Sequence, residues 1–350
     1  MDADTIFAVA SGAGQAAIAV MRLSGPASRA MLAELCGRVP PPRRVSLRRL
    51  RDIDRAMVVW LPGPGSYTGE DSAELFLHGG RAVLTGVADV LVALGARPAE
   101  PGEFTRRAFL NGRMDLTEAE AVHDLVAAET EAQRRQALRQ LDGALGTLYA
   151  GWADRLRLLL AQQEALIDFP DEDLPPEVEA QVQDELKALS REVAAHLNDD
   201  RRGERLREGL VFAVTGRPNV GKSSLVNALA ERDVAIVSAI PGTTRDALET
   251  RVVLGGVPVT LVDTAGLRDA TDEIEAEGVR RARARAAVAD LVITVEETPR
   301  PPIPLPQKEG ENGGHFLIVN KIDLGGSVPA GAIGVSALTG EGLTELRGRL

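Results

Sequence analysis

The residues at positions 216–223 constrain the fold more than any other part of the sequence. They read Gly-Arg-Pro-Asn-Val-Gly-Lys-Ser and match the phosphate-binding loop pattern G-x-x-x-x-G-K-S/T. The apolar run at 210–215 predicts a buried strand before this loop, and residues 224–229 predict a helix after it. Glycines let successive amides face phosphate oxygens, and the start of the helix adds positive potential. We therefore predict that Lys222 reaches the outer phosphates and that Ser223 offers its hydroxyl to Mg²⁺.

A second motif, Asp-Thr-Ala-Gly at 263–266, follows a predicted strand at 257–262. In this position Asp263 is expected to hold Mg²⁺ through water, and the amide of Gly266 to contact the γ-phosphate. Between the two motifs lies Ser-Ala-Ile-Pro-Gly-Thr-Thr-Arg-Asp at 238–246. We predict that Thr244 completes the Mg²⁺ shell there and that the surrounding loop becomes ordered when nucleotide binds.

A third motif, Asn-Lys-Ile-Asp at 320–323, follows a predicted strand at 316–319. The carboxylate of Asp323 only accepts hydrogen bonds. Guanine offers N1–H beside its N2 amino group, whereas adenine offers no such pair, so this residue predicts selection of GTP over ATP. In Ser-Ala-Leu at 336–338 a backbone amide is expected to meet guanine O6. The predicted nucleotide contacts are Asn219, Val220, Gly221, Lys222, Ser223, Ser224, Ser238, Thr243, Thr244, Asp263, Thr264, Ala265, Gly266, Asn320, Lys321, Asp323, Ser336, Ala337 and Leu338.

The distribution of apolar runs and turn residues changes along the sequence and predicts a multidomain chain. Residues 1–117 mix short apolar runs with Gly/Pro turns, which predicts an α+β domain. Residues 118–208 nearly lack turn residues and predict an α-helical middle domain. In residues 209–350 predicted strands, including a further one at 290–295, alternate with helices. This alternation predicts a parallel sheet with helices on both faces, an α/β domain of the P-loop GTPase (Ras-like) type.

Individual elements can be predicted inside these domains. In the first domain three apolar runs between turns predict strands, at 17–23, 56–61 and 73–78, and residues 81–94 predict a helix. At the start of the second domain, Thr-Glu-Ala-Glu at 117–120 matches the capping-box pattern. An apolar stripe then recurs every three or four residues and predicts one long helix. Its members are Leu138, Leu141, Leu145, Leu148, Trp152, Leu156 and Leu159. Prolines at 170, 175 and 176 end that helix, and a second helix is predicted from Glu177.

Composition and charge bear on partners and location. The 350-residue chain carries a net charge of −11, which repels nucleic acid at long range, so an RNA contact needs a local basic patch or a partner protein. We interpret each of two arginine clusters as a solvated face. They are Arg43, Arg44, Arg48, Arg49 and Arg51, and Arg280, Arg281, Arg283 and Arg285. The single cysteine, the lack of a basic amino-terminal region and the lack of a long apolar run predict a soluble, cytoplasmic protein.

These motifs together resemble those of the tRNA modification GTPases of the TrmE/MnmE family. The phosphate loop with its Asn219, Gly-Thr-Thr-Arg-Asp at 242–246 and Asp-Thr-Ala-Gly-Leu-Arg at 263–268 are similar to the family's GTPase motifs. Several stretches of the first domain are similar to its folate-binding domain, at 4–6, 21–25, 67–71, 78–80, 101–105 and 108–111. Residues 167–172 are similar to its helical domain. The resemblance implies a folate-binding and dimerisation domain at 1–117, a helical domain at 118–208 and a GTPase domain at 209–350.

The resemblance also implies how GTP is hydrolysed. Ras-like GTPases orient the attacking water with a glutamine just after Asp-x-x-Gly, and here that position is Leu267, which cannot hydrogen-bond. By resemblance, Glu275 matches the glutamate that positions the water. Glu275, Lys222 and Thr244 are the predicted catalytic residues.

A bound cation is a common substitute for an arginine finger, and the resemblance implies that K⁺ assists catalysis in this way. By position, K⁺ is expected to be coordinated by the Asn219 side chain and by atoms around Ser238, Ile240 and Thr243, while Mg²⁺ is held by Ser223 and Thr244. Dimerisation of the GTPase domains is expected to order this loop.

In the first domain the resemblance implies a site for a 5-formyl or 5,10-methylene derivative of tetrahydrofolate at Arg22, Glu74 and Arg113. A glutamate accepts from the N–H and amino groups of a pterin, and arginine pairs with carboxylates. The implied reaction adds a carboxymethylaminomethyl or aminomethyl group at carbon 5 of the tRNA wobble uridine. The implied assembly is a homodimer joined to an FAD-dependent partner protein in a heterotetramer, with tRNA as substrate and no membrane.

Two other interpretations stay open from the sequence. One is a regulatory GTP-binding switch in ribosome or RNA-complex assembly, against which the match of residues 1–117 argues. The other is an inert product. The family carries further helices after its GTPase domain and a Cys-Ile-Gly-Lys-type end motif, whereas this sequence ends at Leu350, so we expect either a fragment or a truncated gene.

Overall fold

The computed structural model describes residues 4–12, 14–168, 176–198, 202–217, 219–232, 249–263, 289–297, 314–325 and 327–350. The chain groups into two compact units. The first comprises Met1–Val122 and Gln140–Gly146, and the second comprises His123–Arg139 and Thr147–Leu350. Within the described residues, no helix combines the length and the apolar character needed to cross a membrane.

The first unit contains a six-stranded sheet. Its strands are β1 (Ile6–Val9), β2 (Ala19–Ser24), β3 (Ser46–Leu50), β4 (Asp54–Leu61), β5 (Ser72–Leu77) and β6 (Arg97–Pro98). They lie in the order β3-β4-β5-β2-β1-β6, and neighbours are antiparallel except for β1 and β6, which are parallel. The predicted strands at 17–23, 56–61 and 73–78 are confirmed as β2, β4 and β5, with ends shifted by one or two residues.

One face of this sheet is covered by helices. The covered face packs in a single apolar core with α1 (Ser28–Cys36) and α2 (Arg81–Ala93), and its buried members include Leu23, Val58 and Leu75. Since side chains alternate along a strand, the intervening residues face away from this core. On β3 and β4 the exposed residues are Leu47, Arg49, Arg55 and Met57. The helix predicted at 81–94 is confirmed as α2, and a further helix, α3 (Glu103–Leu110), follows β6.

Five helices follow along the chain: α4 (Leu116–Ala127), α5 (Glu131–Leu141), α6 (Ala144–Asp168), α7 (Pro176–Leu197) and α8 (Arg202–Glu208). The predicted capping box at 117–120 is wrong by two residues. Asp115 accepts from the Glu118 amide at 2.8 Å, while the Glu118 carboxylate accepts from the Asp115 amide at 2.7 Å. This reciprocal pair is the capping-box geometry, with an aspartate in the role that the pattern assigned to Thr117.

The prediction of one long helix through the apolar stripe is also wrong. The stripe is divided between α5 and α6 at Gly143, whose φ of +81° is the left-handed conformation that ends helices. Beyond this break Leu159 is buried and packs with Val182 and Leu189 of α7. The predicted helix–helix packing of the stripe is therefore confirmed for part of α6. It is not confirmed for Leu156, which is 48% exposed.

A second six-stranded sheet belongs to the second unit. Its strands are β7 (Leu210–Gly216), β8 (Glu249–Leu254), β9 (Val257–Asp263), β10 (Leu291–Glu297), β11 (Gly314–Asn320) and β12 (Ile333–Gly334), in the order β12-β11-β10-β7-β9-β8. The strands predicted at 210–215, 257–262, 290–295 and 316–319 are confirmed as β7, β9, β10 and β11. The helices α9 (Lys222–Arg232) and α10 (Leu343–Arg349) contribute to its apolar core.

The predicted parallel sheet carries one antiparallel strand at its edge. The neighbours β7, β9, β10, β11 and β12 are parallel, but β8 pairs antiparallel with β9. The two strands are joined through Gly255 and Gly256, with φ values of +59° and +86°. Two successive positive φ angles are what a two-residue hairpin requires, and glycine adopts them without steric cost.

Candidate functional site

The phosphate-loop sequence forms the connection from β7 to α9, at the carboxyl end of a central strand. Gly216 has a φ of +142° and Gly221 a φ of +91°. A Cβ atom added at Gly216 would collide with the carbonyl oxygen of Val295, and one at Gly221 with the side-chain amide of Asn320. Both glycines are therefore required by close approach of the backbone to neighbouring strands as well as by the backbone angle.

Lys222 begins α9 and is 4% exposed. Its Nζ donates to the carbonyl oxygens of Gly216, at 2.9 Å, and Arg217, at 2.6 Å. The ammonium group is thus held within the phosphate loop, near the start of the helix. This places a positive charge where the loop amides and the helix start already favour an anion.

Ser223 and Asp263 are brought together by neighbouring strands. Asp263 ends β9, which pairs with β7 so that Val214 lies opposite Asp263. The Ser223 hydroxyl donates to Oδ2 of Asp263 at 2.7 Å. A hydroxyl and a carboxylate are oxygen ligands of the kind that Mg²⁺ prefers, so this donor pair fits a Mg²⁺ ion carrying several waters.

Asn320 connects the loop to the Ser-Ala-Leu motif. It is 2% exposed, donates from Nδ2 to the Val220 carbonyl at 2.9 Å, and accepts on Oδ1 from the Ala337 amide at 3.0 Å. A buried amide satisfied on both sides in this way positions two segments that are distant in sequence. The Ala337 amide therefore already has an acceptor.

Lys321 supports the loop from the other side. Its Nζ donates to the carbonyl oxygen of Asn219 at 2.9 Å and to Oε2 of Glu297 at 2.6 Å. Glu297 was not predicted from the sequence. It is the last residue of β10 and lies beside Asn320 in the strand register. The sequence feature that could have indicated Glu297 is its place as an acidic residue at the carboxyl end of a central strand.

The remaining predicted guanine contacts lie nearby on the same edge of the sheet. Asp323 is exposed in a short 3₁₀ turn, Ile322–Leu324, immediately after β11. Ser336 is buried, and its hydroxyl accepts from the Thr339 amide at 3.2 Å. Leu338 is exposed. The other predicted site residues lie outside the described part of the chain: Ser238, Ile240, Thr243, Thr244, Thr264, Ala265, Gly266 and Glu275.

In the first unit, Arg22 and Glu74 face each other across β2 and β5. Nε and Nη2 of Arg22 donate to Oε1 of Glu74 at 3.1 and 2.8 Å. The guanidinium carbon lies 5.0 Å from the centre of the Tyr67 ring and 5.7 Å from that of Phe104, within cation–π range of both. These aromatic neighbours were not predicted as site residues.

Arg113, the third predicted folate residue, reaches the same region through the loop at 66–71. A Cβ atom added at Gly69 would lie 3.2 Å from Cγ of Arg113 and from Cβ of Asn111. The Asn111 amide donates to the Thr68 carbonyl at 2.7 Å. The structure brings Arg22 and Glu74 into direct contact and places the stem of Arg113 against the loop that carries Tyr67.

A network of charged side chains anchors this loop and α3. Arg107 donates to Asp4, Glu70 and Glu103, and Arg97 makes a two-pronged pair with Glu103 at 2.9 and 2.6 Å. The Glu103 side chain is 3% exposed. The Arg97 guanidinium, together with Arg107 and the Glu100 amide, lowers the pKa of Glu103 from 4.5 to about 2. Asp4 and Glu70 are distant in sequence from Arg107, so the sequence alone did not predict the network.

Replacing Glu103 with glutamine is expected to destabilise the first unit by about 2–3 kcal/mol at pH 7, because two guanidinium groups lose their shared carboxylate. Since the folded pKa is lowered, this stabilisation is complete above pH 4.5 and is lost as the pH falls towards 2. Thermal melting at pH 7 and pH 3 should therefore show a difference that shrinks in acid. Glu100→Gln, an exposed neighbour, is the control; an equal effect there would contradict the role of Glu103.

Comparison with known proteins gives matches along nearly the whole chain. The family model described as GTP-binding protein TrmE N-terminus matches residues 5–113, and that described as MnmE helical domain matches residues 116–350. The tRNA modification GTPase MnmE of Gluconacetobacter diazotrophicus is 63% identical over 98% of this chain and 80% of its own length. That of Granulibacter bethesdensis is 56% identical over 99% of this chain and 81% of its own length.

Solved structures match the chain in part. Aquifex aeolicus Era is 25% identical with a TM-score of 0.29, over 40% of this chain and 55% of its own. The G domain of the T. maritima FeoB iron transporter is 26% identical with a TM-score of 0.27, over 40% of this chain and 95% of its own. On the two family models and the relatives with more than half of their residues identical, the chain belongs to the MnmE family of tRNA modification GTPases.

Proposed function

We propose that this chain hydrolyses GTP as a component of the complex that modifies the tRNA wobble uridine at carbon 5 with a carboxymethylaminomethyl or aminomethyl group. The observation that carries the GTPase proposal is the 2.7 Å contact between Ser223 and Asp263, next to the buried Lys222. Loop amides, an ammonium group and two oxygen donors converge there at the carboxyl ends of two parallel strands, which is where α/β folds bind their ligands.

In this proposal each described residue has a separate task. The amides of residues 219–223 hold the phosphates, and Lys222 moves from its loop carbonyls to the β- and γ-phosphate oxygens. Asp323 accepts from guanine N1–H and the N2 amino group. Since the Ala337 amide donates to Asn320, the Leu338 amide is the better donor to guanine O6.

Two cations complete the proposed site. Ser223 and Thr244 would bind Mg²⁺ directly and Asp263 through water, and the ion would supply charge neutralisation on the β- and γ-phosphates. Asn219, Ser238, Ile240 and Thr243 would hold K⁺ near the bond that breaks, in place of an arginine finger. Glu275 would position the attacking water, a task that Leu267 cannot perform. Except for Ser223, Asn219 and Asp263, these residues lie outside the described part of the chain.

A comparison of GTP turnover in KCl and NaCl at equal ionic strength tests the proposal. Turnover is expected to be about 10-fold or more higher in KCl, because a site shaped for K⁺ stabilises the charge that develops in the transition state. The control variant is Asn219→Gly. Asn219 has a φ of +64°, which glycine adopts without strain. This variant removes only the side-chain amide and should bind GTP while losing the preference for K⁺.

Equal turnover in both salts would contradict the K⁺ mechanism, and no turnover in either would contradict hydrolysis itself. A GTP-binding switch without modification activity is the alternative. The match of residues 5–113 to the TrmE amino-terminal family model speaks against that alternative.

The first domain is proposed to bind a 5-formyl or 5,10-methylene derivative of tetrahydrofolate through Arg22, Glu74 and Arg113. Support comes from the direct Arg22–Glu74 pair, whose side chains are 28% and 22% exposed and so are accessible to a ligand. We propose domain boundaries at 1–117, 118–208 and 209–350. We also propose a homodimer, an FAD-dependent partner protein in a heterotetramer, tRNA as substrate, and a cytoplasmic location.

A further inference from the structure

A group of six arginines occupies one edge of the first sheet, on β3, on β4 and in the segments that flank β3. We name it the arginine edge, and its members are Arg43, Arg44, Arg48, Arg49, Arg51 and Arg55. Only two acidic residues, Asp52 and Asp54, interrupt residues 43–55, in a chain whose net charge is −11. The edge is therefore a local concentration of positive charge on an acidic protein.

Five of the six guanidinium groups of this edge have no carboxylate partner among the described residues. Arg43 donates to the Gly65 carbonyl, Arg48 to that of Leu47, Arg49 to that of Arg51, and Arg51 to that of Glu34. The side chains of Arg44 and Arg55 have no partner among the described residues. Within the part of the chain that the structure describes, the one carboxylate partner is Glu34, which lies 3.9 Å from Arg51. Carbonyl partners hold a guanidinium in place and leave its charge uncompensated.

Three arginines elsewhere in the same unit are neutralised by carboxylates, in contrast to this edge. Arg22 pairs with Glu74, and Arg97 and Arg107 pair with Glu103 and other carboxylates. The difference between these arginines and the arginine edge follows their position. The three paired arginines contribute to the structure, whereas the members of the arginine edge are exposed except for Arg48, which is half-buried.

Two arginines of the edge stand directly opposite each other. Arg49 on β3 and Arg55 on β4 are partners in the strand register, and both are exposed. Like charges directly opposite each other destabilise a sheet. On a surface that only faces solvent, this repulsion has no compensation. On a surface that binds a polyanion, the negative charge of the ligand compensates the repulsion between the two arginines.

The backbone gives a second, independent indication. Among the described residues, four that are not glycine have a positive φ: Arg43 at +58°, Arg51 at +48°, Asn219 and Lys321. Asn219 and Lys321 belong to the nucleotide site. Residues other than glycine kept in this sparsely populated conformation concentrate at functional sites. The arginine edge therefore shares a backbone feature with the proposed nucleotide site.

We propose that the arginine edge binds the phosphate backbone of tRNA. Guanidinium groups match phosphate oxygens in charge and in two-pronged geometry, and tRNA is the polyanion that the proposed function brings to this protein, so the inference rests on that function. Protection of an edge strand against pairing would need charge on β3, but it does not explain Arg55 opposite Arg49 on β4. Nor does it explain two arginines with positive φ.

The test is binding of fluorescently labelled tRNA by the full chain, for the wild type and for Arg49→Gln combined with Arg55→Gln. The affinity is expected to fall about 10-fold or more at moderate salt. The slope of log affinity against log salt concentration should decrease by about two, one for each lost phosphate contact. Because the variant removes like-charge repulsion, its melting temperature should equal or exceed that of the wild type, whereas loss of a structural contact would lower it.

A matched control carries the same change in charge elsewhere in the unit. Arg29→Gln combined with Arg81→Gln alters exposed residues on α1 and α2, on the covered side of the sheet. An equal loss of affinity in this control would mean a general charge effect and would overturn the proposal. So would a wild type that does not bind tRNA at low salt, or a greater loss of binding to phosphatidylserine vesicles or polyglutamate than to tRNA.

Failure of the proposed function would be seen separately. It would appear as fully modified wobble uridine in tRNA from a strain lacking the chain, and as absent GTP turnover in the purified protein. Neither measurement depends on Arg49 or Arg55. If both support the function while the double variant binds tRNA like the wild type, only the inference about the arginine edge is wrong.

Discussion

Replacing Asp323 with asparagine is expected to lower the affinity for GTP by about 100- to 10,000-fold and to raise the affinity for XTP. The carboxylate would lose its two charge-assisted hydrogen bonds from N1–H and the N2 amino group of guanine, each worth about 1.5–3 kcal/mol. Xanthine carries a carbonyl oxygen in place of the amino group. The asparagine amide can donate to that oxygen while its own oxygen accepts from N1–H.

The surroundings of Asp323 indicate that this substitution leaves the local structure unchanged. The residue lies in an exposed 3₁₀ turn, and the hydrogen bonds that position the turn come from its neighbours. Lys321 bonds to the Asn219 carbonyl and Glu297, and Asn320 bonds to Val220 and Ala337. The phosphate loop should therefore keep its shape in the variant, and only the choice of base should change.

Competition of GTP, XTP and ATP against a fluorescent nucleotide gives the three affinities. Glu341→Gln, an exposed acid five residues after the buried Ser336, makes the same change in charge near the site and should alter none of them. If the asparagine variant kept its preference for GTP over XTP, Asp323 would not select the base. If the wild type bound ATP as tightly as GTP, the assignment of all three motifs would have to be revised.

How much of this could be predicted from the sequence depends on the range of the interactions. The phosphate loop, its strand and its helix depend on residues adjacent in sequence, so local patterns predicted them. Asn320 contacts the loop, and Glu297 contacts Lys321, only because β7, β10 and β11 lie side by side. The sequence shows an acidic residue just after a predicted strand, but no local pattern shows that Lys321 lies beside it, so Glu297 was not predicted as a site residue.

The wrong predictions have a local cause. Gly143 lies inside the apolar stripe that predicted one long helix, but its left-handed backbone angle separates α5 from α6. The capping box was placed at Thr117 because threonine fits the pattern, while Asp115 offers an acceptor that does the same task. The network around Glu103 joins residues up to 103 positions apart, Asp4 and Arg107, which only the folded chain brings together.

Replacing Glu74 with glutamine is expected to lower the affinity for 5-formyltetrahydrofolate about 100-fold. Both hydrogen bonds from Arg22 converge on Oε1 of Glu74, and Oε2 has no hydrogen bond to a described residue. The proposed pterin contact would use that second oxygen as an acceptor from an N–H and an amino group. Glutamine presents an NH₂ group or a weaker, uncharged acceptor there, so charge-assisted bonds worth about 3 kcal/mol in total are lost.

The melting temperature of the Glu74→Gln variant shows whether Glu74 contacts the ligand or only stabilises the fold. The Arg22–Glu74 pair is partly exposed, and such pairs contribute about 0–1 kcal/mol to folding. The variant should therefore melt within a few degrees of the wild type and should hydrolyse GTP at the same rate, while calorimetric titration with the folate shows the loss. Glu120→Gln on α4, an exposed acid in the same unit, is the matched control. Unchanged folate affinity with lowered stability would mean that Glu74 only braces Arg22 between Tyr67 and Phe104.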